Sequence, residues 1–289
     1  MQKRDLELGD FHNCSGEFFL AKMNDVLQSP LWLDAFAYDA SHGVEHGLNT
    51  LHLANELVDN LNPEEFARLK AESEKINSGG ASVDAVVQIG AFLHDCGRFA
   101  DNGNGPTGRG LFAKEVQRYH PEIGAARAVD FFARAGFFSA IPYIHDAVIS
   151  HEFQNERLTP HYIPGRTFIG DIVRAADQLG WLLPESFDRT LRYNNDIGQP
   201  FYSPSASMEE RLEWTSSKPS SDSLTVMLCQ TFGPTDERRF GTEYSRILAT
   251  EYQSRLKGRL LDFARERGLS KEVSGIVEEY EARVRELKN

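Results

Sequence analysis

The segment at residues 83–98, VDAVVQIGAFLHDCGR, constrains the fold of this 289-residue chain more than any other. At 100° per residue its apolar side chains cover nearly the whole circumference of a helix, so we expect this helix to be buried. The helix ends in an imidazole and a carboxylate, His94 and Asp95. Because an unpaired buried charge is costly, the pair either caps a solvated helix end or binds a metal ion. Gly97 follows and is expected in the left-handed conformation that ends a helix.

Helical spacing of apolar residues recurs along the chain, whereas few segments show the alternation typical of strands. With no internal repeat, this pattern predicts an all-α fold. We expect residues 20–184 to form the helical core. Residues 185–289 are expected to add a loop-rich excursion, with one short helix at residues 208–215, and C-terminal helices that pack on the core within one continuous domain. Gly136 and Gly268 are predicted helix ends.

The net charge of −12 argues against a general nucleic-acid surface or an anionic-membrane surface, because both partners select basic patches. A small anionic substrate in a locally basic pocket is compatible with this charge. The three cysteines, Cys14, Cys96 and Cys229, show no paired spacing, which favours a reducing compartment over a disulfide framework. The sequence has no apolar leader and no apolar run of 18 residues, so we expect a cytoplasmic protein.

Four more ionisable residues stand at marked positions of predicted helices: His46, His120, His151 and Asp177. His46 shares a face with apolar residues, and Asp177 borders such a face. His120 precedes a proline and is therefore expected at the N-cap of a helix. Taken singly, each has an ordinary explanation, either as a core histidine or as a solvated boundary aspartate.

Together with the His94-Asp95 pair, these residues form an ordered set in which each member lies on its own predicted helix or helix end. The set resembles that of the HD metal-dependent phosphohydrolase superfamily, in the variant with the order H…HD…H…H…D. The matching segments lie within residues 40–180 and read EHGLNTLHLA, GAFLHDCGRF, YHPEIGAARA, IHDAVISHE and VRAADQLG. Two other histidines of these segments, His52 and His145, point about 120° away from the expected ligand positions.

The resemblance implies an HD-type helical bundle with a metal site at its centre. The first metal would be bound by His46, His94, Asp95 and Asp177. His120 and His151 would extend the site to a second metal, with Asp95 bridging the two. Imidazole and carboxylate ligands suit Fe, Mn, Co, Ni or Zn better than Ca or Mg, so the expected cofactor is one or two divalent transition-metal ions.

The reaction that the resemblance implies is hydrolysis of a phosphomonoester or phosphodiester by a metal-activated water. Asp95 and Arg98 are the expected catalytic residues. We expect Arg98 to contact the substrate phosphate, because a guanidinium fork matches phosphate oxygens. Lys114, Arg118, Arg157 and Arg174 are weaker substrate-binding candidates near the ligand segments. The expected substrate is a small anionic molecule, with nucleotides included, and no further motif identifies it.

Two other functions stay open at this point. Some proteins with this ligand set bind two irons and use dioxygen to cleave a C–C or C–P bond, and the ligand types do not separate the two classes. A metal- or nucleotide-binding sensor without turnover is the third hypothesis. Homo-oligomerisation is left open, since residues 185–289 could form a lid or a dimer interface. Asp146 is interpreted either as a solvated acid or as a partner that orients a ligand histidine.

Overall fold

The computed structural model describes residues 44–78, 81–99, 113–151, 167–196, 198–213, 220–233, 235 and 239–288. Within these residues the chain forms α-helices and short 3₁₀ turns and no β-strand, which confirms the all-α fold. The α-helices, in chain order, are α1 (Val44–Asp59), α2 (Pro63–Asn77), α3 (Val83–Leu93), α4 (Ala113–Arg134), α5 (Ile141–Ile149), α6 (Phe168–Gly180), α7 (Pro184–Asp196), α8 (Met208–Leu212), α9 (Ser223–Phe232), α10 (Glu243–Glu266) and α11 (Ser270–Lys288).

Helix α3 lies at the centre of the fold, as its sequence predicts. Every residue from Ala85 to Leu93 is buried, and α1, α2, α5 and α6 all pack against it. Burial of each large apolar side chain contributes about 1.5–3 kcal/mol, so this helix anchors the core. Gly90 lets α5 approach closely, because a Cβ at this position would lie only 2.8 Å from that of Ala147. Ser82 caps α3 by accepting a hydrogen bond from the amide of Ala85.

Two carboxylates from other helices hold the first turn of α6. Asp146 on α5 accepts hydrogen bonds from the backbone amide and the hydroxyl of Thr167, at 2.8 and 2.7 Å. Glu72 on α2 accepts from the amides of the first two helical residues, at 2.7 and 3.1 Å. Negative charge at a helix N-terminus is stabilising, so these contacts fix the helix that carries Asp177. Asp146 is a buried cap of α6, which differs from both interpretations of the sequence.

The helix that carries His120 begins earlier than its sequence suggests. Because α4 starts at Ala113, His120 and Pro121 lie inside the helix, and the predicted N-cap at His120 is wrong. Proline removes one backbone hydrogen bond from a helix interior. Extensive packing of α4 against α5 offsets this loss, since tertiary contacts supply most of the stability of a helix. The predicted end at Gly136 is confirmed by its φ of 84°.

Gly97 is needed for close packing and not for a left-handed turn. Its φ is not positive, so the predicted role as a left-handed helix end is wrong. The 3₁₀ turn Cys96–Phe99 crosses α4 at this residue. A Cβ on Gly97 would overlap the carbonyl oxygen of His120 and would lie 2.6 Å from the amide nitrogen of Gly124. Only glycine allows the two backbones to approach in this way.

Residues 184–233 contain more helix than their sequence predicts. The predicted short helix is present as α8, but the loop-rich interpretation is wrong where α7 and α9 form. The segment is rich in proline and in polar residues, and some of these begin helices here instead of interrupting them. Pro184 is the first residue of α7, while Ser207 and Asp222 are the N-caps of α8 and α9.

A buried ion pair joins α8 to the start of α9. Arg211 donates from Nη1 to Oδ1 of Asp222 at 2.8 Å and from Nη2 to Oδ2 at 2.7 Å. The same guanidinium donates to the hydroxyl of Thr225 and to the carbonyl oxygen of Ser203. Arg211 is 1% exposed and Asp222 is fully buried, so these contacts compensate both charges inside the protein.

The C-terminal helices pack on the core through α10, which contacts α6 and α7. Two hydrogen bonds attach its first turn to α2 and α1. The amide of Glu243 donates to Glu65 at 2.7 Å, and the hydroxyl of Tyr244 donates to Glu56 at 2.9 Å. Gly268 separates α10 from α11 with a φ of 71°, as predicted. Among the described residues, no helix has both the length and the apolar character needed to cross a membrane.

Candidate metal centre

The six residues of the predicted metal site converge inside the helical core. All are buried, and none is more than 4% exposed. The residues are His46 on α1, His94 and Asp95 directly after α3, His120 on α4, His151 directly after α5, and Asp177 on α6. Ionisable side chains gathered away from solvent must compensate one another's charges or hold a cation.

The first group consists of His46, His94 and Asp177. Nε2 of His46 lies 3.1 Å from Nε2 of His94 and 3.1 Å from Oδ1 of Asp177. Nε2 of His94 lies 3.3 Å from the same carboxylate oxygen. Three donor atoms from three helical segments therefore face one point, and such a group could hold a metal ion.

The second group consists of His120, His151 and Asp95. Nε2 of His120 lies 3.0 Å from Nε2 of His151. Oδ1 of Asp95 lies 3.3 Å from each of these two nitrogens. This group, too, could hold a metal ion.

Asp95 lies between the two groups and turns one oxygen to each. Its Oδ1 faces the second group, while its Oδ2 lies 3.6 Å from Nε2 of His46 and 3.4 Å from Nε2 of His94. Asp95 could therefore offer one oxygen to an ion in each donor group. The structure thus brings together all six residues in the two sets that the sequence resemblance implies.

The spacing of the donor atoms fits metal coordination. Metal–nitrogen and metal–oxygen bonds of about 2.0–2.2 Å, at angles of about 90–110°, place neighbouring donors about 2.8–3.6 Å apart. The donor distances within the two groups run from 3.0 to 3.3 Å. The two distances from Asp95 to the first group, at 3.4 and 3.6 Å, meet the upper end of that range. The residues present therefore fit a transition-metal ion in each group.

Backbone carbonyls orient two of the histidines. Nδ1–H of His94 donates to the carbonyl oxygen of Ala91 at 2.6 Å, and Nδ1–H of His151 donates to that of Val148 at 2.5 Å. When the imidazoles are neutral, this tautomer turns the lone pair of Nε2 towards the donor group. A hydrogen bond on the second ring nitrogen is the usual support of a metal-binding histidine.

The electrostatics of the first group require a compensating positive charge. Burial opposes charge on His94, but the carboxylates of Asp95 and Asp177 raise its pKa to about 10. Burial lowers the pKa of His46 to about 4. Although burial opposes ionisation of Asp177, the two histidines hold the pKa of its carboxyl well below the usual range. The carboxylate of Asp177 is thus ionised, and either a proton on His94 or a bound cation balances it.

Residues that the sequence did not single out surround the first group. The Trp181 ring centroid lies 5.9 Å from that of His46, and the guanidinium carbon of Arg189 lies 4.5 Å from the Trp181 ring centroid. Gln178 donates a hydrogen bond to Asp177, and Arg239 donates one to Gln178. Gln178 and Trp181 follow Asp177 within four residues, and Arg189 lies on α7, so proximity in sequence could have suggested these three. No sequence signal connects Arg239 to this site.

The predicted substrate contacts fall largely outside the described side chains. The side chains of Arg98, Lys114 and Arg118 are not described and Arg157 lies outside the described residues, so their roles stay predictions. Arg174 is buried and donates to Asp171 at 2.7 Å, which assigns it an ion pair on α6. Its role in substrate binding stays a prediction.

No family model, no curated protein and no solved structure matches this chain.

Proposed function

We propose that this chain is a metal-dependent phosphohydrolase of the HD type, with two metal ions at its centre. The observation that supports the proposal most strongly is the placement of Asp95, whose two oxygens face two separate donor groups. Buried imidazoles and carboxylates are not needed to stabilise a core. Apolar residues of similar volume fill a core without the free-energy cost of burying charged groups. The convergence of the six donors therefore favours a function for the group.

Each of the two ions would be held by its own set of residues. His46, His94 and Asp177 would hold one ion, His120 and His151 the other, and Asp95 would contact both. Divalent ions bound there would supply Lewis acidity towards a phosphoryl oxygen and lower the pKa of a coordinated water.

The charge of the loaded site favours an anionic substrate. Two divalent ions carry four positive charges, and the carboxylates of Asp95 and Asp177 offset two of them. The neutral imidazoles offset none, so a local positive charge remains inside a chain whose net charge is −12. Such a site attracts a small phosphoester, a nucleotide included, while the acidic chain as a whole repels long nucleic acids. We propose that Arg98, three residues after Asp95, contacts the phosphate.

Anaerobic hydrolysis tests this proposal. The protein is purified without added metal, loaded with Mn²⁺ or Co²⁺, and screened against phosphomonoesters, phosphodiesters and nucleotides under strict exclusion of oxygen. The proposal predicts turnover in the absence of oxygen, because hydrolysis needs no redox change at the metal. Replacement of Asp95 by alanine should abolish it, whereas His145→Ala, at an exposed histidine of α5, should not.

Turnover that appears only with iron and dioxygen would overturn the hydrolytic proposal. It would instead favour a di-iron oxygenase, which must cycle electrons through its metal. The assignment of the six residues to a metal site would survive that result, because both reactions would use the same donors.

A further inference from the structure

A chain of two hydrogen bonds runs from the C-terminal part of the protein to the first metal group. Nε of Arg239, just before α10, donates to Oε1 of Gln178 at 3.1 Å. Nε2 of Gln178 donates in turn to Oδ2 of Asp177 at 3.2 Å. Arg239 is 6% exposed, so water competes little for this contact.

The direction of these hydrogen bonds is fixed by the chemistry of arginine. A guanidinium has only donors, so the oxygen of the Gln178 amide must face Arg239. The NH₂ group of the same amide then points to Asp177. Arg239 thereby prevents the amide from turning its oxygen towards the carboxylate, which would bring two acceptors together.

Asp177 is held by different partners at its two oxygens. Oδ1 faces the imidazoles of His46 and His94, at 3.1 and 3.3 Å. Oδ2 receives the hydrogen bond from Gln178. The amide therefore sets the rotation of the carboxylate and directs one chosen oxygen to the donor group.

Arg239 is itself fixed in place by its surroundings. A Cβ on Gly233 would overlap its Nη1, so the end of α9 packs directly against the guanidinium. Two residues after Arg239, Gly241 lies against Asp171 of α6, where an added Cβ would approach the Asp171 Cβ to 2.6 Å. The first contact restricts the guanidinium, and the second holds the backbone that follows Arg239 against the helix that carries Gln178.

We propose that Gln178 and Arg239 are positioning residues that set the metal affinity of the first group, His46, His94 and Asp177. This inference rests on the proposed function, since it requires the group to bind a metal. It gives the C-terminal part of the chain a role at the centre of the core. Loss of a partner that orients a metal ligand lowers metal affinity on the order of 10- to 100-fold.

Metal titration of single-centre proteins tests the inference. His120→Ala is intended to leave the first group as the only centre, and His46→Ala to leave only the second. Gln178→Leu, which keeps the size of the side chain and removes its amide, is added to each. Co²⁺ alone is titrated into the metal-free full-length chains. The matched control is Asn194→Leu, because the amide of Asn194 also joins two helices by donating to the hydroxyl of Ser223 at 3.0 Å.

We expect Gln178→Leu to raise the Kd for Co²⁺ about 10- to 100-fold in the His120→Ala chain and to leave it unchanged in the His46→Ala chain. Asn194→Leu should leave both values unchanged. Arg239→Met should weaken the first centre in the same way, and Arg239→Lys should recover most of the affinity because it retains a charged donor. These Arg239 variants keep the test valid if Gln178→Leu does not fold.

Two results would overturn the inference. One is an unchanged Kd at the first centre in Gln178→Leu or, if that variant does not fold, in Arg239→Met. The other is an equal loss at both centres, which would indicate a general effect on the fold. If the parent His120→Ala and His46→Ala chains and the wild-type protein bind no Co²⁺ at all, the proposed function fails together with the inference.

Discussion

The carbonyl oxygen of His120 lies so close to Gly97 that no side chain fits between them. A Cβ on Gly97 would overlap this oxygen and would also crowd the amide of Gly124. Gly97 stands two residues after Asp95, and His120 is a donor of the second group. Backbone contact at this glycine therefore holds α4 against the segment that carries the shared carboxylate.

Gly97→Ala should selectively weaken the second metal centre. The added Cβ must push α4 away from residues 95–97, and His120 would move with it. We expect the metal content of the purified protein to fall towards one ion per chain, with the first group still occupied. Metal analysis of wild type and variant checks this. Gly258→Ala is a suitable control, because a Cβ there would meet no atom within 4 Å. An unchanged metal content in a folded Gly97→Ala protein would contradict the prediction.

The buried ion pair between Arg211 and Asp222 should dominate the stability of the segment between α8 and α9. Arg211→Met leaves the fully buried Asp222 carboxylate without its main partner. We expect the free energy of unfolding to fall by about 3–5 kcal/mol, as for other broken buried pairs. Urea denaturation measures the change. Arg265→Met breaks the exposed pair with Asp262 and should cost less than about 1 kcal/mol. Equal losses in the two variants would contradict this account.

Cys96 should be unreactive in the folded protein. Its side chain is fully buried, and burial raises the pKa of its thiol to about 12. The thiolate, which is the reactive form, is therefore scarce near pH 8. Alkylation with iodoacetamide followed by peptide mass spectrometry should find Cys96 unmodified in the native protein and modified in urea. Modification of Cys96 at native conditions, at the rate found in urea, would show that the segment next to Asp95 is accessible.

Arg98→Lys should impair hydrolysis although it retains the charge. The bidentate fork of the guanidinium is lost, and an ammonium contacts phosphate only as a point charge. The expected loss in kcat/KM corresponds to about 1.5–3 kcal/mol, the scale of a charge-assisted hydrogen bond. Steady-state kinetics on the phosphoester found by screening measures it. An unchanged kcat/KM would show that Arg98 has no role in binding the substrate phosphate.

The sequence predicted the parts of the fold that depend on local pattern. Burial of α3, the all-α class and the helix ends at Gly136 and Gly268 follow from apolar spacing and from the conformational freedom of glycine. Prediction failed where tertiary packing determines the role of a residue or the extent of a helix. The role of Gly97 depends on a helix that is remote in sequence, and the helix containing His120 extends through Pro121 because α5 supports it.

At the site, too, the sequence predicted some features and missed those that depend on long-range contacts. Convergence of the six donors could be expected from their order along the chain, and the structure brings them together. The contact of Arg239 with Gln178 could not be expected, since 61 residues separate them and no motif includes Arg239. Asp146 was misinterpreted because its partner, Thr167, lies at the start of another helix. Long-range hydrogen bonds leave no periodic signal in a sequence.

Metal stoichiometry is the most direct test of the central claim, that two donor groups share Asp95 in a dinuclear site. Wild type, His120→Ala, Asp95→Ala and the control His145→Ala are purified in parallel, and their metal content is measured by mass spectrometry after loading with Mn²⁺ or Co²⁺. The account predicts two ions per chain in wild type and in the control, one in His120→Ala, and little or none in Asp95→Ala. Equal metal content in wild type and folded His120→Ala would contradict it.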